Sequence, residues 1–327
     1  MANYARGAGS RLQVGKETTY GQAATPTVQM NFLSESLTQE IIRETEDSLV
    51  LAKTKRSMDV MSHNSSGDFN VILKPENLKQ LLHLAMGVES SPAAKDGTDF
   101  TYEHQFTLIG AEGSLPSFTA VIDRKVAVPA YTGLKVSTLS MEASSGDYIR
   151  MTASLQGSGK EEAGSLENLD APVLKAFRFV NGSLTIDGTE FAQVTAVNLN
   201  IDNQLDEGEQ TLGSGYYRDE GEHNEREVSV SIDCFYNAAA NTIREEKYKA
   251  DGATAAISMT FETPEEIEPG EKYRFTVELP NVVITDASPN VAGREKIDLT
   301  IEGEALETDL EEAITVTVYD DDDNTAF

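Results

Sequence analysis

A chain of 327 residues is long enough for two domains that each bury a core without disulfides or metals. Its 26 Lys+Arg against 55 Asp+Glu leave a net charge of −29, which repels phosphate and disfavours nucleic-acid binding by counterion release. No apolar run approaches the roughly 18 residues of a membrane span, the start from Met1 to Gln22 lacks the apolar middle of a secretion signal, and the single Cys234 cannot close an internal disulfide, so the expectation is a soluble protein folded in the cytosol.

Residues 1–30, rich in Gly, Ala, Thr and Gln without a sustained period, predict an extended N-terminal arm that needs a neighbour to order it. Short β-type runs follow. Asn31 to Ile41 reads as a strand, residues 42–65 as a long polar loop, and Ser66 to Leu73 as a strand burying Phe69, Val71 and Leu73. Pro75 then opens a helix with a stripe of Leu78, Leu81, Leu82, Ala85 and Met86, and Gly87 stops it. Further strands are predicted at 101–109, 117–123, 133–143 and 147–157, before a polar linker at 158–170. Phe177 to Gly188 reads as a hairpin turning at Asn181-Gly182.

A second series follows in the same order. Thr195 to Leu205 alternates Val197, Leu199 and Ile201, a charged loop spans 206–226, and Glu227 to Phe235 alternates Val228, Val230, Ile232 and Cys234. Asn237 to Gly252 predicts a helix between an Asn cap and a Gly stop. Strands are expected at 255–262, 273–280, 281–287 and 295–306, then an apolar strand through Ile314, Val316 and Val318 ahead of an acidic end that frays in solvent. The closing strands match too, with Gly146, Ile149, Met151, Thr152 and Gly157 paralleling Gly293, Ile297, Leu299, Thr300 and Gly303.

The predicted fold class is therefore mainly β: two tandem β-sandwich or barrel-like lobes, each with one helix covering an end or an edge, plus the extended N-terminal arm. The expected divisions are an arm at 1–30, a first lobe at 31–160, a linker at 161–176, a second lobe at 177–310, and a C-terminal strand and acidic tail at 311–327. Charge divides the lobes. Residues 1–160 hold 15 Lys+Arg against 17 Asp+Glu, and residues 161–327 hold 11 against 38.

The inventory of reactive groups is sparse. His63, His83, His104 and His223 share no metal-ligand spacing and read as isolated surface or boundary residues. Cys234 sits on the buried parity of a strand, where a packed thiol is the ordinary outcome. Gly7-Ala-Gly9 and Gly157-Ser-Gly159 lack the strand-to-helix context of a phosphate cradle. Asp320 to Asp323 with Asn324 lacks the central Gly and terminal Glu of a calcium loop, and Glu265, Glu266 and Glu268 read as a solvated turn. No catalytic site, cofactor or metal is expected.

The segments Gly15 to Pro26, Ser66 to Leu82 and Tyr131 to Gly157, in that order, resemble the major tail tube proteins of siphophages, the bacteriophages with long non-contractile tails. The resemblance implies strands that join between subunits into a continuous barrel lining a channel, with the long loops and the arm bridging stacked rings. It implies a structural virion protein, assembled in the host bacterial cytoplasm, whose partners are itself in homotrimeric rings with pseudo-six-fold symmetry, the tape measure protein, and the tail terminator and distal tail proteins. DNA would pass without specific binding. Residues opposite the buried ones on the strands flanking each long loop are the expected lumen face: Asp68, Asn70, Asn198, Asn200, Asp202, Ser229, Ser231 and Asp233. Lys53, Lys55 and Arg56 in one loop and Asp206, Glu207, Glu209, Glu220 and Glu222 in the other are the expected inter-ring contacts. The alternative reading is a tandem β-sandwich adhesin binding a receptor through the long loops, with a hydrolase of dispersed site a distant third.

Overall fold

The computed structural model describes residues 4–46, 54–55, 57–250, 252–291 and 293–327. In chain order these form β1 (Leu12–Lys16), β2 (Val28–Met30), β3 (Ser34–Glu35), β4 (Thr38–Thr45), β5 (Met58–Ile72), α1 (Pro75–Met86), β6 (Gly87–Glu89), β7 (Ala93–Ala94), β8 (Tyr102–Leu108), β9 (Phe118–Ile122), β10 (Pro129–Ser144), β11 (Arg150–Gly157) and β12 (Lys160–Ala163). They continue with β13 (Gly182–Ile186), β14 (Thr189–Glu190), β15 (Val194–Asp202), β16 (Glu227–Phe235), α2 (Ala238–Ile243), β17 (Ala255–Glu268), β18 (Glu271–Asp286), β19 (Asp298–Ala305) and β20 (Thr315–Asp320). The protein is mainly β, as its alternating runs predict.

Antiparallel ladders run in the order β4, β5, β11, β10, β15, β16, β19 and the end of β18. Period-2 patterning sets the two faces of this long sheet. Phe69, Met151, Ala153, Leu139, Met141, Leu199, Ile201, Val230 and Ile232 are buried on one face. Against it pack α1, through Leu82, and a second layer, through Phe275, Val277 and Val316. In that layer β13, β17, β18, β20 and β8 pair in sequence. Phe275 anchors it, edge-on to Phe177 at 4.8 Å between centroids and tilted against Phe261 at 5.2 Å, each contact adding roughly 0.5–1.5 kcal/mol beyond area burial.

β10 ties a third group of strands to the long sheet. Its first residues pair with β9 and β12, and β9 pairs with β1. A register shift between Val136 and Thr138 then turns the chain into the ladder with β11.

The two series of elements correspond in order and in spacing. β5 and α1 reappear 163 positions later as β16 and α2, because Leu73 and Tyr236 both donate an N–H to an isoleucine carbonyl, Ile149 and Ile297, just ahead of each helix. The shift in β10 lies opposite Leu155 and Ser154, and the irregularity in β18 lies opposite Gly303 and Glu302, 148 positions on. The expected matches of Ile149 with Ile297, Met151 with Leu299 and Thr152 with Thr300 keep that spacing, whereas Gly146 and Gly157 correspond to Arg294 and Ala305 rather than to Gly293 and Gly303.

Several expectations need correction. Residues 12–30 belong to the body, since Leu12 and Val14 are fully buried and β1 pairs with β9 and β2; the glycines masked a short alternating strand. The loop expected at 42–65 is largely a long hairpin, with Thr38 to Thr45 paired to β5, because Ser, Thr and Asn suit an exposed ladder. The turn expected at Asn181-Gly182 is displaced to Asp187-Gly188, where both residues have positive φ. The strands expected at 273–280 and 281–287 are one, running through Pro280. α1 is enclosed rather than draped on an edge: Lys79, Gln80 and His83 are buried with its apolar stripe.

Candidate functional site

The second face of the long sheet is largely polar, with Ile72 and Val283 as apolar exceptions near its ends. One row crosses it from Ser34 through Asn70, Thr152, Ser140, Asn200, Ser229 and Glu304 to Val283. Beside it, Asp68, Ser154, Thr138, Asp202 and Glu227 form a second row, and Glu142, Asn198, Ser231 and Glu302 a third. Every residue expected on the lumen face, Asp68, Asn70, Asn198, Asn200, Asp202, Ser229, Ser231 and Asp233, lies on this face, and none is buried. The face carries Asp68, Glu142, Asp202, Glu227, Asp233, Asp298, Glu302 and Glu304 against Arg150, itself paired with Asp147 at 2.8 Å. An array of carboxylates, hydroxyls and amides on rigid strands offers a polyanion repulsion and no bidentate cation to hold it.

The charged loop between β15 and β16 folds back on the body. The Asp206 carboxylate accepts from the Gly208 and Glu222 amides. The Glu207 carboxylate takes Arg218, and Glu220 pairs with the buried Lys135 at 2.7 Å. Tyr216 stacks on His63 with ring centroids 5.6 Å apart and accepts from its amide. Of the residues expected to bridge rings, Glu207 and Glu220 are therefore paired within the chain, Asp206 shapes the loop, and Glu209 and Glu222 are exposed and, among the described residues, without ion pairs. Lys55 is exposed and donates to Thr45; Lys53 and Arg56 lie outside the described residues.

The histidines are not isolated. His104 is fully buried, donating from Nδ1 to Glu89 at 3.2 Å and from Nε2 to Asp320 at 3.0 Å, while His83 faces the other oxygen of Glu89 at 3.4 Å. Lys79 reaches Asp320 at 3.1 Å, Asp322 at 3.0 Å and the Asn324 carbonyl at 3.2 Å. Burial alone would lower the His104 pKa, but hydrogen bonds to Asp320 and Glu89 outweigh it and raise the value to about 9. Burial would likewise raise Glu89, and hydrogen bonds from His104, His83 and the Ala326 amide bring it down to about 2. The expected frayed terminus is thus docked: Ala326 donates to Glu89, and Phe327 lies 5.7 Å from the His83 ring.

These are interlocked, largely buried ion pairs, an arrangement suited to holding chain segments together. Cys234 is buried, and burial together with Asp233 pushes its thiol up to about 11, far from a nucleophile's range. Among the described residues, no group of three or more His, Cys, Asp or Glu is arranged to hold a metal ion.

No curated protein matches the chain. A family profile described as phage tail tube protein matches residues 7–305, from ahead of β1 to the end of β19. With the match spanning every strand of the long polar-faced sheet, the chain belongs to the phage tail tube family and is a structural, non-enzymatic component of the virion tail.

Proposed function

We propose that the protein polymerises as stacked trimeric rings into the tail tube, with the polar face of the long sheet lining the lumen through which DNA leaves for the host. The junction of β10 with β15 carries this reading. Within one chain, β10, which ends the ladder of the first series, pairs with β15, which begins the ladder of the second, over Thr138 to Ser144. The last ladder of the second series is the end of β18, and the first strand of the first series is β4. Among the described residues, neither β4 nor Val283 to Asp286 has a strand on its other side. Arg124 takes Glu35 and the Leu37 carbonyl, closing the edge ahead of β4 and confining the free ladder to Thr38 to Thr45.

Free edges of this length are an aggregation hazard unless a neighbour takes them. Repeating the internal junction between copies is a heterologous contact that closes into a ring. Each chain supplies two similar lobes, 31–160 and 177–310, so three copies give six. The lumen-facing residues would be Asp68, Asn70, Asn198, Asn200, Asp202, Ser229, Ser231 and Asp233, and the ends of the tube would meet the terminator and distal tail proteins, with the tape measure protein inside during assembly in the host cytoplasm.

Electron microscopy of concentrated protein is the test. Tubes of uniform width with three copies per ring and a pseudo-six-fold cross-section are expected. Six copies per ring overturn the stoichiometry, and the absence of tubes overturns the assembly.

A further inference from the structure

We infer that successive rings are locked by Leu212, at the tip of the acidic loop of one copy, entering a basic-rimmed apolar cavity at the opposite end of the long sheet in a second copy. The inference rests on the stacked-ring reading and names the surfaces that meet. The knob is unusual. Leu212 is fully exposed, at 107 % relative accessibility, between Thr211 and Gly213 on a loop that is otherwise braced. Gln210 donates to the Met61 and Gly215 carbonyls, Thr211 donates to Asp219, and Arg218 donates its amide to Ser158, so the loop presents Leu212 from a fixed base. A rigid, unpartnered leucine loses little freedom on docking.

The cavity, of about 450 Å³, opens between Leu33, Tyr148 and Val173, which are half to largely exposed, and is rimmed by Lys74, Lys175 and Arg178. Among the described residues no acidic side chain lines it, although Glu76 accepts from the Val173 and Leu174 amides and Glu265 from that of Lys175 beside the rim. Among the described residues Arg178 has no ion pair, and the Lys175 ammonium has only a long one, 3.8 Å to Glu265. Around the knob the signs reverse, with Glu209 and Glu222 exposed and, among the described residues, without ion pairs.

Position matches charge. The acidic loop sits where Gly157, Lys135 and Asp202 end their ladders, since Gln156 donates to the Asp206 carbonyl and Lys135 to that of Gly221. The cavity sits where Ile72 pairs with Arg150 and Tyr148 bridges to Arg178. About eight residues of strand separate the two, roughly 25 Å. An acidic loop at one end and a rim of Lys74, Lys175 and Arg178 at the other are complementary in head-to-tail stacking. The hairpin of β4 and β5 is not the receptor for the loop, because His63 and Met61 already hold it within the same copy.

The test uses full-length protein assembled into tubes. In the Leu212→Cys, Val173→Cys double variant, oxidation is expected to give a ladder of covalent oligomers. In Leu212→Cys, Val291→Cys it is not, Val291 being exposed near the same end of the sheet but outside the cavity; Cys234 is buried and contributes no cross-link. Tubes of the first variant without a ladder overturn the proposal. Charge reversal checks it without a thiol. Arg178→Glu should raise the critical concentration for tubes about tenfold, and Glu209→Arg added to it should restore most of the loss; no effect of the single change, or no rescue, overturns it. Wild-type protein that forms rings but no tubes contradicts the docking. Wild-type protein that forms neither contradicts the tail-tube assembly itself.

Discussion

Replacing Lys79 by methionine keeps the volume of a buried side chain and deletes its charge. Lys79 is 3 % exposed and spans Asp320 at 3.1 Å, Asp322 at 3.0 Å and the Asn324 carbonyl at 3.2 Å. Removing one member of a buried pair costs about 3–5 kcal/mol, because the other charge stays buried and uncompensated. Here the lower end applies: His104 still faces Asp320 at 3.0 Å, and Asp322 is half exposed and regains water. A loss of about 3 kcal/mol, at roughly 2 °C per kcal/mol for a large chain, lowers the melting temperature by roughly 6 °C. The change is also local. Amide exchange in residues 321–327 should accelerate, while exchange in β16 stays slow. Adding Asp320→Asn should cost less than the sum of the two single changes, since the side chains act as one unit, but should not restore stability, because His104 then loses its Asp320 partner. An unchanged melting temperature with unchanged C-terminal protection would refute the role assigned to this cluster.

Three other outcomes follow from the same structure. The His104 contribution, with a folded pKa of about 9 above the ordinary 6.5, is complete below pH 6.5 and lost as pH rises through 9; that of Glu89, about 2 against 4.5, is complete above pH 4.5 and lost on acidification towards 2. Melting curves should therefore be highest between about pH 4.5 and 6.5, and an alkaline limb identical in His104→Asn would contradict the assignment. At pH 8 the Cys234 thiol, held near 11 and buried, should react with a maleimide at least about a hundredfold more slowly than in denaturant, and equal rates would show the strand to be open. Phage carrying Asp202→Lys and Asp233→Lys should eject DNA more slowly from tails of normal length, because cations on the proposed lumen face would attract phosphate; unchanged ejection would place these residues elsewhere.

Much of the fold was legible because period-2 patterning is a local property. Glu227 to Phe235 announces a half-buried strand without reference to the rest of the chain, and the observed β16 has those bounds. The polar face followed by parity from the same runs. Helix α1 was equally readable from Pro75, its leucine stripe and Gly87, which adopts φ of +90° as a stop. Where signals were short or masked, reading failed: five residues of β1 sit among glycines, and α2 gives way to a π-turn at Arg244–Tyr248 that no periodicity encodes.

The C-terminal cluster was half written in the sequence. Asp320 occupies the parity of Ile314, Val316 and Val318, and His104 that of Phe106, so both place an ionisable group on a buried face. Lys79 and His83 stand four apart on one helix. That these groups meet, with Glu89, is decided by β20 pairing with β8, a contact over more than 200 positions.

By itself, then, the sequence determined which residues alternate, where chains of strands begin and end, and that one face is acidic and wet, because hydrophobic period and charge belong to each segment alone. Only the tertiary structure decided that β10 joins β15, that β1 and the C-terminal residues are folded in, and that the acidic loop and the basic-rimmed cavity lie at opposite ends of one sheet, because ladder partners and ion pairs are choices among distant segments that no local pattern ranks.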